Sequence, residues 1–210
     1  MTRRTYINES HRLYSEACQQ EVEKMSLSPL TAEEMAAQME RNHRESLTAA
    51  KLIFLDFDGV LNTETWQHRC QKKGVLASDD FGPLFAPEAV RSLTCILKAV
   101  PEAKIIITSS WALEGFGRMK GLWLQRRLPG HIIGIAEPTD VVPPYRGADI
   151  RAWFQKNALE EKDYVILDDT DDFFPEQKPH LVKTSPACGL TAEDAEKAIA
   201  ILTTVLATLP

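Results

Sequence analysis

The sequence predicts an α/β fold, a parallel sheet flanked by helices with a helical arm in front of it. Three observations predict it. From residue 51 onward, short apolar runs of strand length alternate with stretches of helical periodicity, the pattern of parallel strands joined by helical crossovers. The first run, Leu52 to Leu55, leads straight into two acids and a glycine, Asp56-Phe57-Asp58-Gly59. Three runs end in residues suited to chemistry: Asp56 and Asp58, Thr108 with Ser109, and Asp168 with Asp169. In open parallel sheets the ligand crevice lies just beyond the carboxyl ends of the strands, so these residues would share one rim.

Residues 1–48 carry no strand signal. Tyr14, Cys18, Val22 and Met25 fall at helical spacing, and Thr31 with Glu34 reads as a capping box ahead of Met35 and Met39. Ser28-Pro29 separates the two helices. Their apolar stripe is thin, which fits an arm docked on the main domain or on a partner. Residues 49–210 form the domain proper. Its first strand covers residues 52–57, with Phe57 turned into the core by strand alternation. The segment from Thr63 to Phe85 shows no clear periodicity and reads as a flap. A helix begins at Pro87 and stops before Pro101, with Val90, Leu93, Ile96 and Leu97 inward.

Lys104 to Thr108 is the second strand. A glycine-weakened helix with Met119, Leu122 and Leu128 on its face comes next, ending at Pro129-Gly130, and His131 to Ile135 is a third strand. After a proline-rich loop, Arg146 opens a helix carrying Ile150, Trp153 and Phe154. Tyr164 to Leu167 is the fourth strand, and His180 to Lys183 adds an edge strand. Thr191 and Asp194 cap the last helix, which keeps Ala195, Ala198, Ile199, Leu202 and Val205 in register.

Composition narrows the function. With 24 basic and 30 acidic residues the chain carries a formal charge of −6, so it has no overall basic surplus for non-specific nucleic-acid binding. The four cysteines are far apart and form no zinc or redox motif, which fits free thiols in a reducing cytoplasm. No apolar run is long enough to cross a bilayer, so no membrane partner is expected.

Four carboxylates at one rim repel one another, and burying them unpaired costs several kcal/mol each, on the order of magnitude known for isolated charges. Mg²⁺ resolves the conflict, since it takes hard oxygen ligands together with phosphate oxygens. A carboxylate beside that cation can attack phosphorus, and a second acid two residues on can handle the proton. Thr108 would bind phosphoryl oxygens, and Arg146, at a helix start, is placed to offset their charge.

Asp56-Phe57-Asp58-Gly59-Val60, the Ile-Ile-Ile-Thr108 strand, Arg146 and Leu167-Asp168-Asp169 resemble, in order and spacing, the four motifs of the haloacid dehalogenase (HAD) superfamily of phosphohydrolases. The finer pattern, Ile-Thr-Ser-Ser-Trp, Arg-Gly-Ala-Asp-Ile-Arg-Ala-Trp and Ile-Leu-Asp-Asp, resembles the HAD domains of Swiss Army Knife RNA-repair-like proteins. The resemblance implies a Rossmann-like core over residues 50 to 208 and a Mg²⁺-dependent phosphatase. It makes Asp56 the nucleophile, Asp58 the general acid/base, and Thr108, Ser109 and Arg146 the phosphate-binding residues. The metal would lie among Asp56, Asp58, Asp168 and Asp169, the last as a ligand or just outside the ligand set. Lys156 is a rival to Arg146, and Asp171 and Asp172 are either further ligands or solvated loop acids.

HAD enzymes usually choose substrates with a cap domain. The gaps from Gly59 to Lys104 and from Trp111 to Tyr145 leave no room for a large one, so the site should be open or screened by the arm. Trp66, His68, Arg69, Lys72 and Lys73 could stack a base and steer a phosphate, or form a solvated basic loop. Trp111 could line the pocket or belong to the core. The substrate implied is a phosphorylated compound, with a nucleotide or a nucleic-acid end phosphate as the candidates. The competing readings are a non-catalytic module that binds a protein partner, or itself, through the N-terminal helices, and a phosphotransferase sharing the same intermediate.

Overall fold

The computed structural model describes residues 50–142 and 144–204, together with Thr31, Glu33, Met35 to Ala37 and Leu47. The helices expected around Tyr14, Cys18, Val22 and Met25, the cap acid Glu34, Met39, and Val205 at the end of the last helix lie outside the described residues. The chain divides into two compact units, Met1–Leu47 and Thr48–Pro210. The second contains the sheet and the site.

Five parallel strands form that sheet: β1 (Leu52–Leu55), β4 (Lys104–Ile107), β5 (Ile132–Ile135), β6 (Tyr164–Asp168) and β7 (Leu181–Lys183), in the order β5-β4-β1-β6-β7. Between β1 and β4 lies a two-stranded antiparallel hairpin, β2 (Ser78–Asp79) and β3 (Gly82–Pro83). The helices are α1 (Glu64–Lys72), α2 (Pro87–Ala99), α3 (Phe116–Gln125), α4 (Arg146–Lys156) and α5 (Ala192–Thr203). The fold is therefore α/β, a Rossmann-like parallel sheet flanked by helices.

β1 is central and hydrogen-bonded on both sides, so its four residues are all buried. Alternation sorts its neighbours. Ile53, Leu55 and Phe57 pack with α2, α3 and α5, whereas Leu52 and Phe54 meet Ile150, Trp153 and Phe154 of α4 on the other face. Burying a side chain of this size contributes about 1.5–3 kcal/mol each, and a strand covered on both faces reads as an uninterrupted apolar run.

Register fixes the rim. Leu55 pairs with Ile107 on one side and with Leu167 on the other, so the three strands run out level. The Asp56 amide donates to Leu167 (3.0 Å) and the Thr108 amide to Leu55 (2.9 Å), carrying the ladder one residue further.

Two elements depart from the sequence expectation. The flap segment contains the helix α1, capped by Thr63, whose hydroxyl accepts from the Trp66 amide at 3.2 Å. Only Cys70 of its nine residues is buried, so the apolar periodicity that reveals most helices is missing here. The hairpin after it is held from the C-cap of α3 by Arg126, which grips Asp79 with two bonds (3.0 and 2.6 Å) and donates to the Gly82 and Pro83 carbonyls (3.0 and 2.9 Å). Among the described residues, no helix is long and apolar enough to cross a membrane.

Candidate active site

The first acid stands where β1 runs out. Asp56 is 4% exposed, Asp168 is fully buried at the end of β6, and Asp169 is half-buried beside them. One oxygen from each can be chosen so that all three lie within 4.8 Å of one another. Three carboxylates this close repel one another, and a cation among them would offset that repulsion. Burial pushes the Asp56 carboxyl up to about 6; Arg146 lowers it, Asp168 raises it further, and the Phe57 amide and Ser109 hydroxyl lower it. Asp169 is likewise raised, by burial and then by the charge of Asp168.

Arg146 supplies part of the compensation. It is the first residue of α4, and its Nη1 lies 3.5 Å from Asp56 and 3.7 Å from Asp168 while donating to the Thr108 carbonyl. Gly147 after it is required by contact, because a Cβ there would lie 2.4 Å from the Gln177 amide oxygen. The rival Lys156 sits at the far end of α4, exposed and paired with Glu137 at 2.9 Å.

Asp168 is held by one oxygen only. Oδ1 accepts from the Thr170 amide (2.9 Å) and hydroxyl (2.7 Å), whereas Oδ2 is buried with no hydrogen-bond partner. The Thr108 hydroxyl is also buried and unpartnered. Orphaned polar atoms in a core cost free energy unless a ligand satisfies them. An acceptor oxygen that faces only the Arg146 guanidinium, 3.7 Å away, in a cluster of three carboxylates, fits a hard divalent cation, and the unpartnered Thr108 hydroxyl fits an anionic oxygen.

Asp58, expected among the ligands, lies outside that trio. It is exposed, with Oδ1 accepting from Asn62 Nδ2 (2.7 Å) and Oδ2 from Trp111 Nε1 (2.9 Å). The turn that begins at Asp58 needs Gly59. At φ +70, a Cβ on residue 59 would stand 2.3 Å from Asp169 Oδ2. Asp171 faces Lys183 at 3.9 Å, and exposed Asp172 lines a neighbouring cleft.

Two clefts adjoin the acids and share Ser110. One of about 250 Å³ is lined by Thr108, Ser109, Tyr145, Arg146 and Thr170, among others. The other, of about 430 Å³, runs from Asp58 past Trp111 to Phe81 and Met119. Trp111 thus does both things expected of it: it lines a cleft, and its ring packs edge-on against Phe57 with centroids 5.5 Å apart. His68, Arg69 and Lys72 on α1, and Lys73 at its C-cap, lie exposed and line neither cleft. Trp66 is packed on the core beneath Arg69, which pairs with Glu88 at 3.2 Å.

Sequence reasoning did not find Asn62, Thr170 or Phe81. Thr170 had a local signal, since a hydroxyl two residues after an aspartate commonly closes a turn onto it. Asn62 had only its place four residues beyond Asp58.

A parallel sheet that brings three carboxylates and an arginine to its carboxyl edge defines an α/β protein with a charge-compensated acidic centre. The family model described as the HAD domain in Swiss Army Knife RNA repair proteins matches residues 52–195, and the chain belongs to that family. It is thereby a member of the HAD superfamily of hydrolases, generally phosphatases. A HAD superfamily (subfamily III A) hydrolase from Legionella pneumophila is similar in structure at 15% identity, with 80% of this chain and 92% of that one covered and a TM-score of 0.37. No curated protein matches the sequence.

Proposed function

We propose that this protein is a Mg²⁺-dependent phosphomonoester hydrolase that works through an aspartyl-phosphate on Asp56. The observation that carries the reading is the buried trio of Asp56, Asp168 and Asp169, with an orphaned Asp168 oxygen and Arg146 within ion-pair reach of two of its members. Asp56, Asp168 and Asp169 would hold Mg²⁺, which when bound offsets the negative charge of the acids and of a phosphoryl group.

Asp56 is placed to attack. Its backbone is fixed in the ladder, and one oxygen is held by the Phe57 amide at 2.8 Å, leaving the other to reach phosphorus. The Thr108 hydroxyl, the Ser109 side chain and Arg146 bind phosphoryl oxygens as negative charge moves onto them. Asp58, on the opposite side of the turn, gives a proton to the leaving oxygen and later takes one from the attacking water.

A nucleotide, or the end phosphate of a nucleic acid, is the substrate class that fits best. The family supports it, as does a cleft that begins at Asp58 and brings together Trp111, Phe81 and Arg118, aromatic and cationic groups of the kind that hold a nucleotide. Residues 1–48 would form a separate arm that screens this site or binds a protein partner.

Hydrolysis of p-nitrophenyl phosphate tests the core of the reading. Activity should require Mg²⁺, vanish on chelation and fall at least a thousandfold in Asp56→Asn, on the order lost when a nucleophile is removed. A wild-type protein inert toward a broad phosphomonoester panel with Mg²⁺ or Mn²⁺ would refute it.

A further inference from the structure

We infer that Asn62 and Trp111 are positioning residues that hold the carboxylate of Asp58 in the orientation needed for proton transfer. The inference rests on the reading of Asp58 as the acid and base of the reaction. An exposed aspartate on a tight turn would ordinarily sample several rotamers. Here each oxygen meets a donor that can only donate.

Indole Nε1 has a hydrogen and no acceptor capacity, so the 2.9 Å contact from Trp111 is a donated bond. The orientation of Asn62 is set by its neighbours. The Leu84 carbonyl can only accept, and the Gln67 atom 3.0 Å from it must therefore be the amide nitrogen. That same nitrogen lies 2.8 Å from the Asn62 side chain, which must present oxygen to it. The other end of the Asn62 amide, its NH₂, is then the group 2.7 Å from Asp58. The chain of donors is fixed from a backbone carbonyl outward and does not depend on how either amide is drawn.

Both supports are themselves anchored. Asn62 closes the turn with its backbone, donating to Phe57 (2.8 Å) and accepting from Gly59 (2.9 Å). Trp111 sits in the 3-10 turn Ser110–Glu114 directly after β4, packed against Phe57 and Phe85 at ring separations of 5.5 and 5.8 Å. The proton-transfer group is thus tied to strand end, turn and core at once.

The bonds leave the chemistry available. Each carboxylate oxygen has a second lone pair, so Asp58 can carry a proton on one oxygen without losing either donor. As the bond from Asp56 to phosphorus forms, the phosphorus–oxygen bond to the leaving group breaks, its electron pair stays on that oxygen, and the proton of Asp58 joins it. The alcohol departs neutral and Asp58 is left as a carboxylate, still held by both donors.

The test uses leaving groups that differ in their need for a proton. For the full-length protein with Mg²⁺, kcat/KM reports the steps through release of the alcohol, and is compared for p-nitrophenyl phosphate, whose phenolate can leave unprotonated, and glycerol 3-phosphate, whose alkoxide cannot. In Asn62→Ala and in Trp111→Phe the ratio of the first to the second should rise about tenfold, mostly through kcat on glycerol 3-phosphate. Loss of ring contact in Trp111→Phe would move the ratio the other way.

An unchanged ratio in both variants, with activity lost equally on both substrates or on neither, overturns the inference while leaving the phosphatase reading intact. A wild type inert on both defeats the two together. A readout independent of turnover is the indole N–H resonance that disappears in Trp111→Phe. It should shift in Asp58→Ala and in no comparable way in a distant variant such as Lys197→Ala; a resonance unmoved by Asp58→Ala also overturns the inference.

Discussion

At Asp56, burial and the neighbouring charge of Asp168 disfavour the ionised form, and the sign of that effect gives a measurable prediction. The folded carboxyl titrates at about 6, against 3.8 for the unfolded chain. Because the folded value is the higher one, its contribution to stability is fully present below pH about 4 and is lost as pH rises toward 6. A rise of that size corresponds to no more than about 3 kcal/mol. In chelator, Asp56→Asn should therefore be more stable than the wild type at pH 7.5, and the gap should close by pH 4; equal melting temperatures across that range would contradict it. Gly59 makes the complementary case. A methyl at φ +70, overlapping Asp169, must displace that acid, so Gly59→Ala should cost at least about 1–2 kcal/mol and weaken Mg²⁺ binding more than tenfold by titration calorimetry. Of these features, Asp56 and Asp168 were legible in the sequence, because a buried strand fixes where the residues at its carboxyl end must stand. The partners of Asp58 were not: Trp111 reaches it from 53 residues away, and no local pattern encodes such a contact.

Among the elements, the sheet strands read directly from their apolar runs, and so did α5, whose Thr191 and Asp194 form the expected box with bonds of 3.2 Å each way. The stretch between β1 and α2 did not. α1 exposes most of its surface, and the hairpin's strands are two residues each, so neither leaves a periodic trace. The hairpin is held by long-range ties, among them Arg118, which donates to the Asp80 carbonyl at 2.6 Å, and above all Arg126. Its side chain is 7% exposed, stacked 4.7 Å over Phe85 and bonded to Asp79 and to two carbonyls. Asp79 is correspondingly held below its usual carboxylate range, chiefly by that hydrogen bond. Arg126→Ala removes the stacked stem and all of these bonds, so it should cost about 2 kcal/mol or more and open the loop around residues 74–84 to protease cleavage well before global unfolding. Uniform protection of that loop in the variant would show that it is anchored elsewhere.

The acids that make the site are also a standing cost to the whole molecule, because the register that gives the sheet its core forces Asp56 and Asp168 side by side. A sequence can show that strands end in acids, but not that the pairs Leu55–Ile107 and Leu55–Leu167 bring those ends level; that alignment comes from five strands packed between two apolar layers. If the trio is a cation site, the ion binds the folded state alone and stability becomes a function of its concentration. At a hundredfold excess over Kd, linkage gives about 2.7 kcal/mol. Thermal melting of the full-length protein should therefore rise steadily with Mg²⁺, and Asp168→Asn should abolish the rise while leaving a folded protein. The same titration addresses the arm. A chain cut to residues 49–210 should melt cooperatively and keep the full Mg²⁺ response, since every acid of the trio lies within it. Its turnover of p-nitrophenyl phosphate should match the full chain, while turnover of an oligonucleotide end phosphate should change if residues 1–48 screen the site. Identical kinetics on both substrates would remove the arm from the reaction and leave partner binding as its role.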